Sequence, residues 1–161
     1  MNEIKYTRCN NLIKMSLDDL YDGINNSYNK LKENIKNIII AEAPLTLNTL
    51  KARLREAFNV AKISQKALEF INEILDSLHV IKTNNLYDDV IWPESGIFDM
   101  DGFRVDSDRQ IYDIPYQEMI LLFIDYNLSG EELYRAILSY FGLQVLTEKA
   151  YNYLEFVESK L

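Results

Sequence analysis

The chain has 161 residues, 48% of them hydrophobic, which is enough to form one compact domain or two small ones. A single cysteine, Cys9, excludes an internal disulfide and favours a cytoplasmic protein, and no apolar run is long enough to span a bilayer. With one histidine and one cysteine, zinc fingers, Cys–His nucleophiles and His-based metal triads are excluded unless another chain contributes to them. We therefore expect no metal, no cofactor and no enzymatic activity.

The net charge of −8 is unevenly distributed along the sequence. Residues 86–118 hold nine acidic side chains and two arginines, a local balance of −7. Residues 51–66 instead carry five basic side chains and one acid, a balance of +4, whereas residues 134–149 reach only +1. If any part of the chain contacts phosphate, we predict that it is segment 51–66.

The N-terminal third predicts a tail followed by a long helix. Residues 1–16 show no hydrophobic period and predict a tail or a short leading element. Ser16 begins a capping box, after which apolar residues recur at helical spacing up to about Ala43, where Pro44 ends the pattern. This stripe fits either a helix that packs into the core or a seam for a partner chain.

The sequence also repeats itself. Residues 45–78, here called repeat 1, match residues 128–161, called repeat 2, without a gap when shifted by 83 positions. The matched apolar positions have helical spacing, so each repeat predicts a helix, a short turn and a second helix. The predicted helices span about 46–58 and 65–78 in repeat 1 and about 130–141 and 148–160 in repeat 2.

The turn residues of the two repeats support this interpretation. Asn59 and Gly142 occupy the position that ends the first helix, and both residue types tolerate left-handed backbone. Ser64 and Thr147 then offer N-caps for the second helix. Each repeat is therefore predicted to be a helix-turn-helix, with an ordinary helical hairpin as the alternative.

The residues that follow repeat 1 predict a β-hairpin. Two short β-like runs, at about 79–82 and 90–92, are separated by turn residues. A hairpin in this position is the wing of a winged helix, and we expect Trp92 to be partly buried against that unit. Repeat 2 ends at Leu161 and has no such wing.

Residues 94–113 predict an acidic connector, after which Ile114-Pro115 begins a helix to about Tyr126. The expected fold is mainly α, with two helix-turn-helix (winged-helix-like) units, one small β-hairpin wing and a long preceding helix. The expected domains are an N-terminal tail at 1–16, the long helix plus the first winged-helix unit at 17–93, the connector at 94–113, and a second helix-turn-helix unit lacking a wing at 114–161.

Outward-facing basic and polar side chains of repeat 1 are the candidate nucleic-acid contacts. In a helix-turn-helix that reads DNA, the N-terminal part of the second helix enters the major groove. Further along that helix, Glu69, Glu73 and Asp76 would repel phosphate. The tyrosine-rich repeat 2 and the acidic connector instead favour protein docking. The candidate nucleic-acid-binding residues are Lys51, Arg53, Arg55, Lys62, Gln65 and Lys66.

Several soft motifs resemble a bacterial domain of unknown function, family 3320. They are Ala43-Pro44-Leu45 before the helix pair, Ile91-Trp92-Pro93, Phe103-Arg104-Val105 and Ile114-Pro115, and the resemblance covers roughly residues 35–161. Members of that family usually form the C-terminal region of large bacterial proteins with a superfamily-one helicase core and a restriction-endonuclease-like domain. This sequence differs in having Asn59 where the family usually has Gly, and in lacking the helicase and nuclease regions.

The resemblance implies a role beside DNA-processing machinery, and it carries over no catalytic residue. We expect a non-catalytic accessory module of a bacterial DNA-processing or defence helicase–nuclease system. Such a module would dock a helicase or nuclease partner protein, DNA through repeat 1, or both. The alternatives are a structural protein–protein adaptor or oligomerisation module, and a winged-helix transcription regulator.

Overall fold

The computed structural model describes all 161 residues, which form two units with separate hydrophobic cores. The repeat-1 unit comprises residues 7–83 and 90–97, and the repeat-2 unit comprises residues 1–6, 84–89 and 98–161. Helices dominate both units, so the fold is mainly α, as predicted. None of the helices combines the length and the apolar character that crossing a membrane requires.

The elements alternate between helices and short strands. In chain order they are β1 (Glu3–Lys5), α1 (Leu17–Asp22), α2 (Ser27–Glu42), β2 (Leu45–Thr46), α3 (Leu47–Phe58), α4 (Gln65–Ser77), β3 (Ile81–Asn84), β4 (Asp89–Trp92), β5 (Phe103–Val105), a 3₁₀ turn (Ile111–Asp113), α5 (Tyr116–Phe123), α6 (Gly130–Tyr140) and α7 (Glu148–Glu158).

The single long helix predicted from residue 17 is wrong, because two helices occupy this stretch. The backbone of Gly23, at the end of α1, has a φ of +67°, and Asn25 and Asn26 follow with φ values of 56° and 55°. Left-handed backbone cannot continue a right-handed helix, so α2 begins afresh at Ser27. The apolar stripe runs across the break because both helices pack into the same core.

The predicted helix pair is present in each repeat, within two residues of the expected bounds. Asn59 and Gly142 end the first helices with φ values of 55° and 71°. Ser64 Oγ accepts a hydrogen bond from Ala67 N, and Thr147 Oγ1 accepts one from Ala150 N, each at 3.1 Å. The same caps therefore set the helix starts in both repeats.

The strands predicted after repeat 1 are also present. A three-stranded sheet has the order β2-β4-β3, and β2 is antiparallel to β4 with Leu45 opposite Ile91. Trp92 is fully buried, more deeply than predicted, and its Nε1 donates to Thr83 Oγ1 at 2.9 Å. The indole thereby fixes β4 against β3.

The N-terminal segment contains a short strand, the second of the two forms predicted for it, whereas the predicted acidic connector needs correction because it also contains a strand. β1 pairs in parallel with β5, with Ile4 opposite Arg104. The 3₁₀ turn and part of the repeat-2 core also come from residues 98–113. Strands of three residues are too short to show a hydrophobic period, so neither was visible in the sequence.

Candidate nucleic-acid interface

Five of the six predicted contact residues are accessible in repeat 1. Lys62, in the turn, and Gln65 and Lys66, in the first turn of α4, are exposed. Lys51 and Arg55 lie four residues apart on the outer side of α3 and are half-buried. We call these five residues the repeat-1 basic surface.

Arg53, the sixth predicted residue, is not part of this surface. Its side chain is only 2% exposed, and the Glu42 carboxylate at the end of α2 is fully buried beside it. Arg53 Nε lies 3.1 and 3.0 Å from the two Glu42 oxygens, and Nη2 lies 2.9 Å from Oε1. The guanidinium is therefore committed to an internal ion pair and cannot bind a phosphate.

Sequence analysis missed this pair because a charged side chain on an amphipathic helix is normally solvated. Arg53 lies between the buried Leu50 and Ala57 along α3, so its position on the helix already faces the core. What permits its burial is a carboxylate from another helix, and no local pattern shows such a partner. Glu42 Oε2 also accepts a hydrogen bond from Cys9 N at 3.1 Å, which ties the N-terminal segment to the same pair.

Helix α1 fixes the start of α4. The hydroxyl oxygens of Tyr21 and Ser64 lie 2.5 Å apart, and Ser64 is the N-cap of α4. Lys66 Nζ lies 4.6 Å from the centre of the Tyr21 ring, a cation–π distance, while the Lys66 side chain as a whole stays exposed. The basic end of α4 is therefore held in place and remains open to solvent.

The acids near this surface are partly neutralised. Glu56 is the one acid in segment 51–66, and it forms an ion pair with Arg8, while Lys14 Nζ donates to the Glu56 carbonyl at 3.3 Å. Sequence analysis missed both bases because they lie about 40 residues or more before their partner in an apparently featureless tail. Their positions make the surroundings of the α3 C-terminus more basic than segment 51–66 alone.

Further along α4 the surface becomes acidic. Glu69, Glu73 and Asp76 are exposed there, as predicted. Glu73 Oε1 accepts a hydrogen bond from Tyr28 Oη at 3.1 Å. Burial, followed by this hydrogen bond and the Glu73 charge, raises the pKa of the Tyr28 hydroxyl. A polyanion could therefore approach the turn and the start of α4 but not the rest of the helix.

The charge of the whole chain is divided between the two units. The repeat-1 unit carries eleven Lys and Arg and ten Asp and Glu, a balance of +1. The repeat-2 unit carries six basic and fifteen acidic residues, a balance of −9. The excess negative charge of the chain therefore lies entirely outside the unit that bears the basic surface.

Repeat 2 lacks the corresponding surface. At the aligned positions, Lys62 is replaced by Val145 and Gln65 by Glu148. Lys51 and Arg55 are replaced by a tyrosine and a leucine that are both buried. Only Lys149 retains its charge, and its Nζ lies over the rings of two tyrosines at 4.4 and 5.2 Å.

The tip of the β3–β4 hairpin, residues 84–89, belongs to the repeat-2 unit. Asn85 is fully buried, and its Nδ2 donates to the carbonyls of Tyr112 and Ile114. Its Oδ1 accepts a hydrogen bond from Tyr116 N at 2.7 Å, at the first residue of α5. The tip thus caps a helix.

A second buried ionic cluster lies in the repeat-2 unit. Glu118 on α5 accepts hydrogen bonds from Arg104 and Arg109, with Nη2 distances of 2.7 and 2.8 Å. The ring of Tyr6 lies 4.9 and 4.5 Å from the two guanidinium carbons. The sequence predicts a solvated connector around both arginines, and only the family resemblance draws attention to this segment.

The electrostatics of this cluster do not suit acid–base chemistry. Burial raises the pKa of the Glu118 carboxyl, but the hydrogen bonds and charges of Arg109 and Arg104 lower it by more, so the net shift is downward. A carboxylate held ionised by two cations is a poor proton acceptor near neutral pH. Its arrangement is that of a structural cross-link between β5 and α5.

No group of three or more His, Cys, Asp or Glu side chains is arranged to hold a metal ion. Comparisons with protein-family models, with curated proteins and with solved structures find no match to this chain. The resemblance to family 3320 therefore stays a prediction, and the function must be argued from the geometry of the chain itself.

Proposed function

We propose that the repeat-1 unit is a winged helix that binds nucleic-acid phosphates through its basic surface. The order α2-β2-α3-α4-β3-β4, with β2 beside β4, matches the order of helices and strands in winged-helix domains. The observation that carries the proposal is the exposure of Lys62, Gln65 and Lys66 where the turn meets α4. Helix-turn-helix proteins place this part of the second helix against DNA.

The local charge supports this use. Four basic side chains of this surface, those of Lys51, Arg55, Lys62 and Lys66, remain after Arg53 is removed from the set. Salt screens charges beyond roughly 8–10 Å, so the charges next to a bound phosphate matter more than the net charge of the chain. A surface with four cations can replace up to about four counterions on duplex DNA.

We place this activity in a non-catalytic accessory module of a bacterial DNA-processing or defence helicase–nuclease system. Two features support a positioning role. The buried ionic clusters are fully engaged in holding helices and strands together. Asn85 in the hairpin tip is engaged in capping α5.

A protein–protein adaptor is the second candidate, and repeat 2 favours it. Its inter-helix turn exposes Leu143 and Val145, whose side chains are 46% and 73% accessible. Neither side chain is part of the repeat-2 core, and exposed apolar side chains are suited to contact with a partner protein. In this alternative, the basic surface of repeat 1 is only solvated.

The salt dependence of DNA binding separates the two candidates. We expect a variant with Lys51, Arg55, Lys62 and Lys66 changed to glutamine to bind labelled duplex DNA more weakly than wild type. Its plot of log K against log salt concentration should be shallower by roughly 0.9 for each phosphate that the variant no longer neutralises. Fluorescence anisotropy at several salt concentrations, with duplex and single-stranded probes, measures this.

A matched control carries the same change in net charge in the other unit. In this control, Lys5, Arg135, Lys149 and Lys160 are changed to glutamine, and we expect the salt slope of wild type. Equal losses of DNA affinity in both variants would mean that binding depends only on the net charge of the chain. Absence of binding by wild type at low salt would give first place to the adaptor.

A further inference from the structure

Ile40 is an anomaly on the outer side of α2. Its side chain is 83% exposed, the largest accessible fraction among the exposed large hydrophobic residues, while the neighbouring Ile38 and Ile39 are almost completely buried. The core of the repeat-1 unit does not use it. An isoleucine so exposed stabilises nothing within its own chain.

Ile40 also forms part of the lining of an open groove within the same unit. The groove is open to solvent, has a volume of about 290 Å³, and takes the rest of its apolar lining from Ile39, Leu78, Val80 and Pro93. This is roughly ten times the volume that one water molecule occupies in the liquid, so the groove is large enough for an aliphatic side chain. Lys36 and Glu94 are its two charged lining residues, and both are exposed.

The composition of this patch is complementary to itself. It offers an apolar groove with the exposed Ile40 side chain in its lining, one cation and one anion. In a two-fold symmetric interface, every contact between two different residues occurs twice, once in each direction. Two such patches would therefore bury both Ile40 side chains and form two Lys36–Glu94 pairs. A polyanion would be repelled by Glu94, and a partner of a single charge sign would leave one of the two charges unmatched.

We propose that this patch is a homodimerisation surface, in which Ile40 of each chain enters the groove of a second copy. The proposal is independent of nucleic-acid binding, because none of the residues involved belongs to the repeat-1 basic surface. Two Ile40 side chains and two ion pairs make a small interface. The dimer is therefore weak, and its fraction increases with protein concentration.

Sedimentation equilibrium of the full chain tests the apolar part. Wild type should dimerise measurably below about 1 mM, and Ile40→Glu should weaken the dimer by about tenfold or more. Val145→Glu is the matched control, because Val145 is similarly exposed but lies in the repeat-2 unit, and it should leave the dimer unchanged. Circular dichroism should show all these variants folded, since each substitution is at the surface.

A charge-reversal cycle tests the pairing. Lys36→Glu and Glu94→Lys should each weaken the dimer by about tenfold, because each places two like charges together, and the combined variant should recover wild-type affinity. A wild type that stays monomeric to about 1 mM would overturn the proposal. So would a dimer that is insensitive to Ile40→Glu, one that is broken by Val145→Glu, or a combined variant without recovery.

Discussion

Replacing Glu118 with glutamine is expected to lower the free energy of unfolding by about 3–5 kcal/mol, because it leaves two buried guanidinium groups without their anion. Glu118 is fully buried, and its oxygens accept from side-chain nitrogens of both Arg104 and Arg109. Urea denaturation followed by circular dichroism measures the loss. Glu132→Gln, at an exposed site on α6, is the control and should stay within about 0.5 kcal/mol of wild type.

The pH dependence of the same carboxylate has a definite sign. In the folded chain, the pKa of Glu118 is below its ordinary value of 4.5. A group with a lowered folded-state pKa stabilises the fold fully above its unfolded-state pKa, and this contribution is lost as the pH falls through the folded-state value. Wild type should therefore lose this contribution below about pH 4.5, and Glu118→Gln should lack it. Parallel stability curves for the two proteins would contradict the assignment.

Replacing Arg53 with methionine is expected to cost about 3–5 kcal/mol, because the buried Glu42 carboxylate would lose the guanidinium that compensates its charge. Trp92 is the one tryptophan, and it is buried in the same unit, so its fluorescence during urea denaturation reports the loss. Arg55→Met is the control, because Arg55 is half-exposed two residues further along α3, and it should cost less than about 1 kcal/mol.

A double variant separates the ion pair from simple packing. Combining Arg53→Met with Glu42→Gln removes both charges and keeps an acceptor for Cys9 N. It should recover at least about half of the stability lost by Arg53→Met alone, because no uncompensated charge remains. A stable Arg53→Met variant that fails to bind DNA would instead restore Arg53 to the contact surface.

Local signals in the sequence were sufficient to predict the helix pair of each repeat. Asn59 and Gly142 end helices with left-handed backbone, and Ser64 and Thr147 cap the helices that follow. These caps depend on interactions within a few residues, so the local sequence is enough to predict where the helices begin and end. The β-hairpin was predicted for the same reason, since its two strands are neighbours in the chain.

Features that depend on distant partners were not predictable in this way. The break at Gly23 escaped notice because hydrophobic spacing continued across it. β1 and β5 are three residues each and lie about a hundred residues apart, so neither gives a signal by itself. Within the candidate site, Lys62, Gln65 and Lys66 are exposed and Lys51 and Arg55 are half-buried. The burial of Arg53 could not be predicted, because it depends on Glu42 from another helix.

Mapping of backbone amide chemical shifts during titration with duplex DNA tests the central claim most directly. At low salt, we predict that the shifts cluster in residues 51–66, on the outer side of α3, the turn and the first turn of α4. The aligned residues 134–149 and the hairpin tip at 84–89 should not move. Shifts that concentrate in 134–149, or no shifts at any DNA concentration, would contradict the proposal that repeat 1 is a nucleic-acid-binding surface.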